Sequence, residues 1–194
     1  MLAAANLDHL RAKTQPMSRD SKYLSRVLRH EPELIDLRID RHGWVWINEL
    51  LRQLKKAGRG LSRAQLLEIV ETNDKKRFTI SDDGRRIRAA QGHSIEVDLG
   101  LPAVAPPDTL YHGTASQSLD RIFESGLNPG RRRQVHLSQD PETATRVGRR
   151  HGKPVVLRVA AGRMHANGCT FFHADNGVWL TEAVPAEYLS FGLA

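Results

Sequence analysis

Apolar residues recur at three-and-four spacing in three stretches of the first hundred residues, which is the pattern of helices with one buried face. In YLSRVLRHEP the apolar stripe begins at Tyr23, and Pro32 disfavours helical geometry in the residue before it. This pattern predicts a first helix from about Ser18 to His30. The preceding residues, 1–17, are predicted to form a loose and variable N-terminal arm.

Two further helices and a hairpin are predicted next. The second helix runs from about Asn48, as its cap, to Gly58, and the third, LSRAQLLEIVETN, begins at the cap residue Ser62. Before the second helix, DLRIDRHGWVWI alternates and predicts a short extended piece with a glycine turn. After the third, RFTISDDGRRIRAA has two alternating runs around Asp83-Gly84, which is a hairpin signal. Three helices followed by a two-stranded ribbon form the layout of a winged helix, a frequent nucleic-acid-binding module.

The pattern changes after a proline-rich stretch, DLGLPAVAPPDT, which is typical of an interdomain linker. Beyond it, short β-type runs alternate with one or two helices, SQSLDRIFESG and DPETATRVGRRHG. The β-type runs are TLYHGT, QVHLS, PVVLRVA, TFFHA and GVWLT. The sequence therefore predicts an α+β protein with a first domain at 18–98, a linker at 99–109 and a strand-rich second domain at 110–194.

Composition and charge narrow the class of protein. The 194 residues are 40% hydrophobic and 26% charged, which indicates a globular chain, and the net charge of +7 favours a polyanionic partner. The single cysteine, Cys169, excludes an internal disulfide and a multi-cysteine zinc site, and it is interpreted as a small buried residue. Because no signal-peptide pattern or membrane-length apolar run is present, we expect a cytoplasmic protein without a membrane partner. We also expect a monomer.

Several common motifs are absent from the sequence. GRRHGKPV lacks the spacing of a phosphate-binding loop, no G-x-G-x-x-G follows a predicted strand, and there is no G-x-S-x-G. The nine histidines include no H-x-x-x-H or H-E-x-x-H pair. No metal is therefore expected, with a zinc site assembled from distant residues as the alternative left open.

Basic residues stand where a phosphoryl group could bind. Arg29 and His30 end the first helix, Arg77 opens the strand in KKRFTIS, and three consecutive arginines (131–133) precede the strand QVHLS. Arginine holds phosphate through two-pronged donors, and a histidine beside it can also transfer a proton. Simpler interpretations remain open: a solvated helix end, an ion pair of Arg77 with Asp82 or Asp83, and a solvated charge run at 131–133.

Two strand ends in the second domain suggest a different chemistry. HGT at 112–114 and HLS at 136–138 each place a histidine and a small residue at the end of a predicted strand. That arrangement leaves a backbone amide and carbonyl free for a planar carboxamide such as nicotinamide. Taken singly, each histidine favours the simpler interpretation of a partly buried imidazole with its hydrogen bonds satisfied.

Six blocks in order along the chain resemble the NAD-dependent RNA 2′-phosphotransferase family, best known for removing a splice-junction 2′-phosphate from tRNA. They cover roughly residues 20–190 and read SKYLSRVLRHEP, DRHGWVWINELL, KKRFTISDDGRRIRAAQGHS, LYHGT, VHLS and NGVWLTEAVPAEYL. The resemblance implies an N-terminal winged-helix lobe, a C-terminal ADP-ribosyltransferase-like lobe and an active site in the cleft between them. It also implies NAD as co-substrate and an RNA bearing a 2′-phosphate as partner.

The resemblance assigns the site residues. The family's catalytic Arg-His-Arg-Arg set maps onto Arg29, His30, Arg77 and Arg132, the last because it stands four residues before the histidine of VHLS. Residues expected along NAD are His112, Gly113, Thr114, His136, Ser138, Arg150, Asn176, Gly177, Val178 and Trp179. Many ADP-ribosyltransferases carry a late glutamate, whereas here Val178 stands near that place. A phosphate acceptor is already anionic at neutral pH and needs no such base.

The implied reaction has two steps. The RNA 2′-phosphate attacks the anomeric carbon of the nicotinamide ribose and releases nicotinamide, giving 2′-phospho-ADP-ribosylated RNA. The ribose 2″-hydroxyl then attacks the phosphorus, giving RNA with a 2′-hydroxyl and ADP-ribose 1″,2″-cyclic phosphate. Two other functions stay open: an ADP-ribosyltransferase that caps terminal phosphates of nucleic acids or modifies protein, and a winged-helix regulator with a ligand-sensing domain.

Overall fold

The computed structural model describes residues 19–192 of the chain, so the predicted arm at 1–17 lies outside the described residues. The helices are α1 (Arg19–Arg29), α2 (Ile47–Lys56), α3 (Arg63–Glu71), α4 (Leu119–Ser125), α5 (Pro141–Gly148) and α6 (Ala161–Ala166). The strands are β1 (Val45–Trp46), β2 (Phe78–Ile80), β3 (Arg86–Ala89), β4 (Leu110–Ala115), β5 (Val135–Leu137), β6 (Pro154–Val159), β7 (Phe171–His173), β8 (Trp179–Thr181) and β9 (Leu189–Phe191). Helices and small antiparallel sheets are mixed, which confirms the predicted α+β class.

The first half of the chain packs α1, α2 and α3 with a three-stranded antiparallel sheet in the order β1-β3-β2. Three residues of the stripe predicted on α1 are fully buried: Leu24, Val27 and Leu28. The predicted hairpin is β2–β3, with Phe78 opposite Ala89. One hydrophobic cluster, all within residues 24–89, holds these elements together.

Of the two predicted helix caps, one is confirmed and the other is wrong. Ser62 caps α3, and its hydroxyl and the side chain of Gln65 form a reciprocal capping box. Asn48 lies inside α2, whose N-cap is Trp46. The helix starts earlier because Ile47 N–H still donates to the carbonyl of Arg85 at 2.9 Å, so β1 runs directly into the first helical turn.

The second half contains two three-stranded antiparallel sheets, in the orders β4-β6-β9 and β5-β8-β7. The five predicted strands are all present, and backbone hydrogen bonds between Tyr111 and Ser138 join β4 to β5. Helix α6 and strand β9 were not predicted. The six residues of α6 are too few for a periodic signal, and β9 is defined by its pairing with β6, for example Phe191 with Leu157.

A second hydrophobic cluster, within residues 110–189, lies under these sheets. The connecting segment touches both halves: Asp98 N–H donates to the carbonyl of Arg41 at 2.8 Å, and Val104 N–H donates to that of Phe171 at 2.9 Å. None of the described helices combines the length and apolar character needed to cross a bilayer.

Candidate active site

The end of α1 and the start of β2 bring two guanidiniums together. Arg29 donates from Nη2 to the backbone carbonyl of Arg77 at 3.4 Å, and Arg77 donates from Nη1 to Asn73 Oδ1 at 3.1 Å. No ion pair joins Arg77 to Asp82 or Asp83, all three of which the structure describes. The interpretation of Arg77 as a partner of those carboxylates is therefore wrong. Its side chain is buried and held by a neutral amide.

Arg132 brings a third guanidinium from the second half of the chain. Burial, followed by the nearby charges of Arg77 and Arg132, lowers the pKa of Arg29 to about 10. The pKa of His30 is lowered by burial, then by Arg29 and Arg132. Arg132 thus acts on groups across the cleft, whereas Arg133 lines a neighbouring cavity. All three arginines are exposed, and Arg132 is the one whose charge acts on Arg29 and His30.

Arg150 lies just beyond α5, and its charge acts on two of the same arginines. The pKa of Arg132 is lowered by burial and then by Arg150, and the charge of Arg150 also lowers the pKa of Arg77 after the larger effect of burial. We call Arg29, Arg77, Arg132 and Arg150 the cationic cluster. Like charges held this close are unfavourable until an anion joins them. Arg29 Nε is buried and has no hydrogen-bond partner among the described residues, so it is a donor ready for a ligand.

His30 is oriented by a serine that the sequence did not single out. Its Nδ1 lies 2.9 Å from Ser94 Oγ, and the backbone N–H of Ser94 donates to the carbonyl of Arg29 at 2.9 Å. The ring is thereby tied down through Nδ1, which leaves Nε2 for another partner. Burial, followed by Arg29 and Arg132, disfavours the protonated form of His30 by lowering its pKa.

His136 on β5 reaches towards Arg29 from the other half. A Cβ placed on Gly92 would lie 3.7 Å from Arg29 Nη1 and 3.8 Å from His136 Nε2, so both atoms border one small space. His136 Nε2 is buried and has no partner among the described residues. Burial, followed by Arg132 and Arg29, lowers the pKa of His136 to about 3, so its imidazole is neutral.

The other residues expected along NAD fall into two groups. His112 and Ser138 lie where β4 and β5 part, and His112 Nδ1 lies 3.1 Å from the carbonyl of His136. The turn before β8 faces the first half, where Asn176 Nδ2 donates to the carbonyl of Lys75 at 3.5 Å. In that turn Gly177 has a positive φ, and Val178 N–H donates to Asn176 Oδ1 at 3.4 Å. Next along the chain, Trp179 keeps a buried Nε1 without a partner among the described residues.

Gly113 is explained by packing rather than by room for a ligand. A Cβ on Gly113 would lie 1.7 Å from the carbonyl oxygen of Ala144, so only glycine lets α5 cross β4 this closely. Its neighbour Thr114 is buried beside the same helix, and a Cβ on Gly148 would lie 2.7 Å from the carbonyl oxygen of Thr114. The close approach of α5 thus accounts for the glycine of HGT, and the expected contact of Gly113 with NAD stays a prediction.

A cavity of about 840 Å³ lies beside the cationic cluster, between residues 91–101 and the β5-β8-β7 sheet. His136 lines it, whereas the other residues expected along NAD do not. Two further lining groups, Gln91 Oε1 and His93 Nε2, are buried without partners among the described residues. Burial, then Arg29, lowers the pKa of His93 to about 4.

Sequence reasoning missed the residues that hold the site together. Asn73 accepts from Arg77 and donates from Nδ2 to Ser21 Oγ at 3.0 Å. Asp175 accepts from Thr79 Oγ1 at 2.7 Å and from Arg88 at 3.3 Å, and so joins the two halves. The partners of Asp175 are set by the fold, so no local pattern marks it, whereas Asn73 accepts from Arg77 only four residues along the chain. Within residues 19–192, no group of three or more potential metal ligands is assembled.

Comparison with known proteins shows which family this chain is similar to. Residues 15–183 match the model of a family described as "RNA 2'-phosphotransferase, Tpt1 / KptA family". The chain is 59% identical over 170 residues to a "Probable RNA 2'-phosphotransferase" of Agrobacterium fabrum, an alignment covering 88% of this chain and 91% of that protein. Proteins with the same description from Hahella chejuensis and Burkholderia lata are 56% and 54% identical. These alignments cover 88% and 89% of this chain, and 91% and 89% of those proteins.

Proposed function

Because the chain belongs to the RNA 2′-phosphotransferase (Tpt1/KptA) family, we propose that it transfers an internal RNA 2′-phosphate to NAD. The proposal is supported above all by the cationic cluster, in which the charges of arginines from both halves act on one another and on His30. A phosphate monoester is the anion that this set of donors fits best, since each guanidinium offers two parallel N–H groups. We expect the protein to act as a cytoplasmic monomer.

We assign the two halves as a winged-helix lobe at 18–98 and an ADP-ribosyltransferase-like lobe at 110–194, joined by a linker at 99–109. The three helices with the β1-β3-β2 sheet support the first assignment. The two facing sheets of the second half, which part beyond Tyr111 and Ser138, support the second. In this arrangement the first lobe supplies Arg29, His30 and Arg77, and the second supplies Arg132.

The residues present fit NAD as the second substrate. Its pyrophosphate needs cations, which Arg132 and Arg150 offer, and its ribose and carboxamide groups need buried polar partners such as His136 Nε2 and Trp179 Nε1. His112, Gly113, Thr114, Ser138 and the turn Asn176–Trp179 complete the proposed binding surface. NAD supplies an electrophilic anomeric carbon with nicotinamide as its leaving group. No metal is required, because the charge on phosphate is met by arginine.

The cationic cluster serves both proposed steps. In the first, it orients the RNA 2′-phosphate so that one of its oxygens faces the anomeric carbon; that oxygen forms the new bond as nicotinamide leaves. In the second, the ribose 2″-hydroxyl attacks the same phosphorus and the RNA 2′-oxygen departs. Arg29, Arg77 and Arg132 stabilise negative charge on the phosphoryl oxygens in this step. The products are 2′-hydroxyl RNA and ADP-ribose 1″,2″-cyclic phosphate.

His30 is suited to the leaving oxygen of the second step. Ser94 fixes its Nδ1, so Nε2 is the nitrogen that faces a ligand. It contributes there as a hydrogen-bond donor or by delivering a proton to the departing 2′-oxygen.

The test is incubation of a short 2′-phosphorylated oligonucleotide with NAD, followed by mass analysis of RNA and nucleotide products. We expect equal amounts of nicotinamide, 2′-hydroxyl RNA and the cyclic phosphate. A stable ADP-ribosylated product without cyclic phosphate would instead indicate a transferase that caps phosphates. No nicotinamide release would refute the enzymatic proposal and favour a ligand-sensing regulator.

A further inference from the structure

The side of the β1-β3-β2 sheet that points away from the hydrophobic cluster carries aromatic and basic residues. Along β3, Ile87 and Ala89 are buried, whereas Arg86 and Arg88 point to the opposite side. Trp46 stands opposite Arg86 in the β1–β3 pair and is 57% exposed. An exposed indole beside guanidiniums is the combination on which single-stranded nucleic acids stack and pair.

The arginines on this side stack on the tryptophans. The Arg88 guanidinium carbon lies 4.5 Å from the centre of the Trp44 ring, and that of Arg86 lies 5.4 Å from Trp44 and 5.8 Å from Trp46. We call Trp44, Trp46, Arg86 and Arg88 the aromatic–basic face. Arg88 already pairs with Asp175, whereas Arg86 is absent from the ion pairs found among the described residues. Arg86 is therefore the cation on this face left for an added anion.

The aromatic–basic face continues from the cationic cluster. Ala90 N–H donates to the carbonyl of Arg77, which belongs to the cluster. Two residues further along the strand, Thr79 pairs with Arg88, which belongs to the face. The distance from Ala90 back to Arg86 along the extended chain is four residues, or about 13 Å. Stacked nucleotides rise about 3.4 Å each along a strand, so about four nucleotides would span this distance.

We propose that the aromatic–basic face binds the single-stranded RNA that flanks the 2′-phosphate, with a base stacked on Trp46 and a backbone phosphate on Arg86. This inference rests on the proposed function, because it takes RNA as the substrate held at the cationic cluster. Charge complementarity and continuity with the cluster select this occupant. A flat exposed indole suits an unpaired base, which presents its ring face to an aromatic side chain regardless of sequence.

The experiment compares Trp46→Ala with Phe191→Ala, which removes an equally exposed aromatic side chain from β9 in the other half. Each variant and the wild type are assayed with a 2′-phosphorylated dinucleotide and with substrates extended by six nucleotides on the 5′ or the 3′ side. We expect the wild type to prefer one extended substrate. Trp46→Ala should lose that preference, with kcat/KM for this substrate reduced about tenfold and the dinucleotide unaffected. Phe191→Ala should behave as the wild type does.

A second variant and a direct measurement of binding separate this inference from the proposed function. Arg86→Gln should show the same length-selective loss, whether or not Trp46→Ala is less stable. Binding of an unphosphorylated single-stranded oligonucleotide, followed by fluorescence anisotropy without NAD, should weaken about tenfold in Trp46→Ala. Equal binding by the wild type and both variants would overturn the inference. Failure of the wild type to convert the dinucleotide would overturn the proposed function alone, since the binding measurement does not depend on turnover.

Discussion

The imidazole of His30 and the hydroxyl of Ser94 meet at 2.9 Å between Nδ1 and Oγ, across 64 residues of sequence. The backbone N–H of Ser94 also donates to the carbonyl of Arg29. Ser94, in the segment that follows β3, thus contacts both Arg29 and His30 at the end of α1. We assign Ser94 as a positioning residue, because it acts through His30.

Replacement of Ser94 by alanine should lower kcat about fivefold and leave the KM for NAD unchanged, because the ring of His30 loses its fixed orientation. Ser94→Thr keeps the hydroxyl and should restore much of kcat. Steady-state kinetics with a 2′-phosphorylated oligonucleotide measures both constants. Ser190→Ala, at an exposed position of β9, is the matched control. An unchanged kcat in Ser94→Ala would show that this hydrogen bond does not serve the reaction.

Asp175 should be needed to hold the two halves of the chain against each other. Its Oδ2 accepts from Thr79 at 2.7 Å and from Arg88 at 3.3 Å, and the Arg88 side chain is only 11% exposed. Asp175→Ala leaves that cation without its partner and should reduce kcat/KM about tenfold. Asp175→Asn retains an oxygen acceptor and should fall between alanine and wild type.

The melting temperature of each Asp175 variant shows whether the loss of activity follows from unfolding. A fully active and equally stable Asp175→Ala protein would mean that the contact between Asp175 and Arg88 is dispensable.

Gly113→Ala should strongly destabilise the protein, because the new methyl group would lie 1.7 Å from the carbonyl oxygen of Ala144. Helix α5 must then move away from β4, and we expect a loss of at least about 3 kcal/mol in the free energy of unfolding. Urea denaturation without ligands measures the change. Gly60→Ala, where the nearest atom to the added Cβ is 3.8 Å away, should change that free energy by less than about 1 kcal/mol. Equal stability of the two variants would refute the close packing of α5 on β4.

Acid should destabilise the protein partly through His136. Its pKa is lowered from 6.5 to about 3, so the unfolded chain binds a proton that the folded chain does not between these values. The contribution of His136 to the free energy of unfolding is present in full above about pH 6.5. It is lost as the pH falls towards 3, at about 1.4 kcal/mol per pH unit. His136→Gln should therefore flatten the decline in unfolding free energy between pH 6.5 and 4. Parallel curves for wild type and variant would contradict a buried neutral imidazole.

Local sequence patterns predicted the elements whose determinants are local. The stripe on α1, the capping box at Ser62 and the glycine turn between β2 and β3 each depend on residues within one or two turns of one another. The start of α2 was missed because the pairing of β1 with β3, not the side chain of Asn48, decides where the helix begins. Strand β9 was missed for the same reason, since its partners in β6 lie 30 to 34 residues away.

The residues of the candidate site also divide into those that a local motif marks and those whose role depends on the fold. A motif can mark Arg29 and His30, but their proximity to Arg132 depends on how the halves pack, which no spacing encodes. The roles of Ser94 and Asp175 follow from hydrogen bonds made across the fold. Asn73, by contrast, holds Arg77 from four residues away and donates to Ser21 across the fold. Family resemblance supplied the residues proposed to bear chemistry, whereas the structure adds those that hold them.

The central claim is that arginines from both halves act with His30 on one phosphoryl group, and the most direct test is single-turnover kinetics. A labelled 2′-phosphorylated oligonucleotide is mixed with NAD and excess enzyme, for the wild type, Arg77→Ala, His30→Ala and Arg132→Ala. Arg131→Ala, one residue from Arg132, is the matched control.

We expect Arg77→Ala and His30→Ala to bind NAD and to stall at ADP-ribosylated RNA, with the second step about a hundredfold slower. Arg132→Ala should be similarly impaired, whereas Arg131→Ala should match the wild type. Wild-type rates for both steps in Arg77→Ala or His30→Ala would contradict the claim.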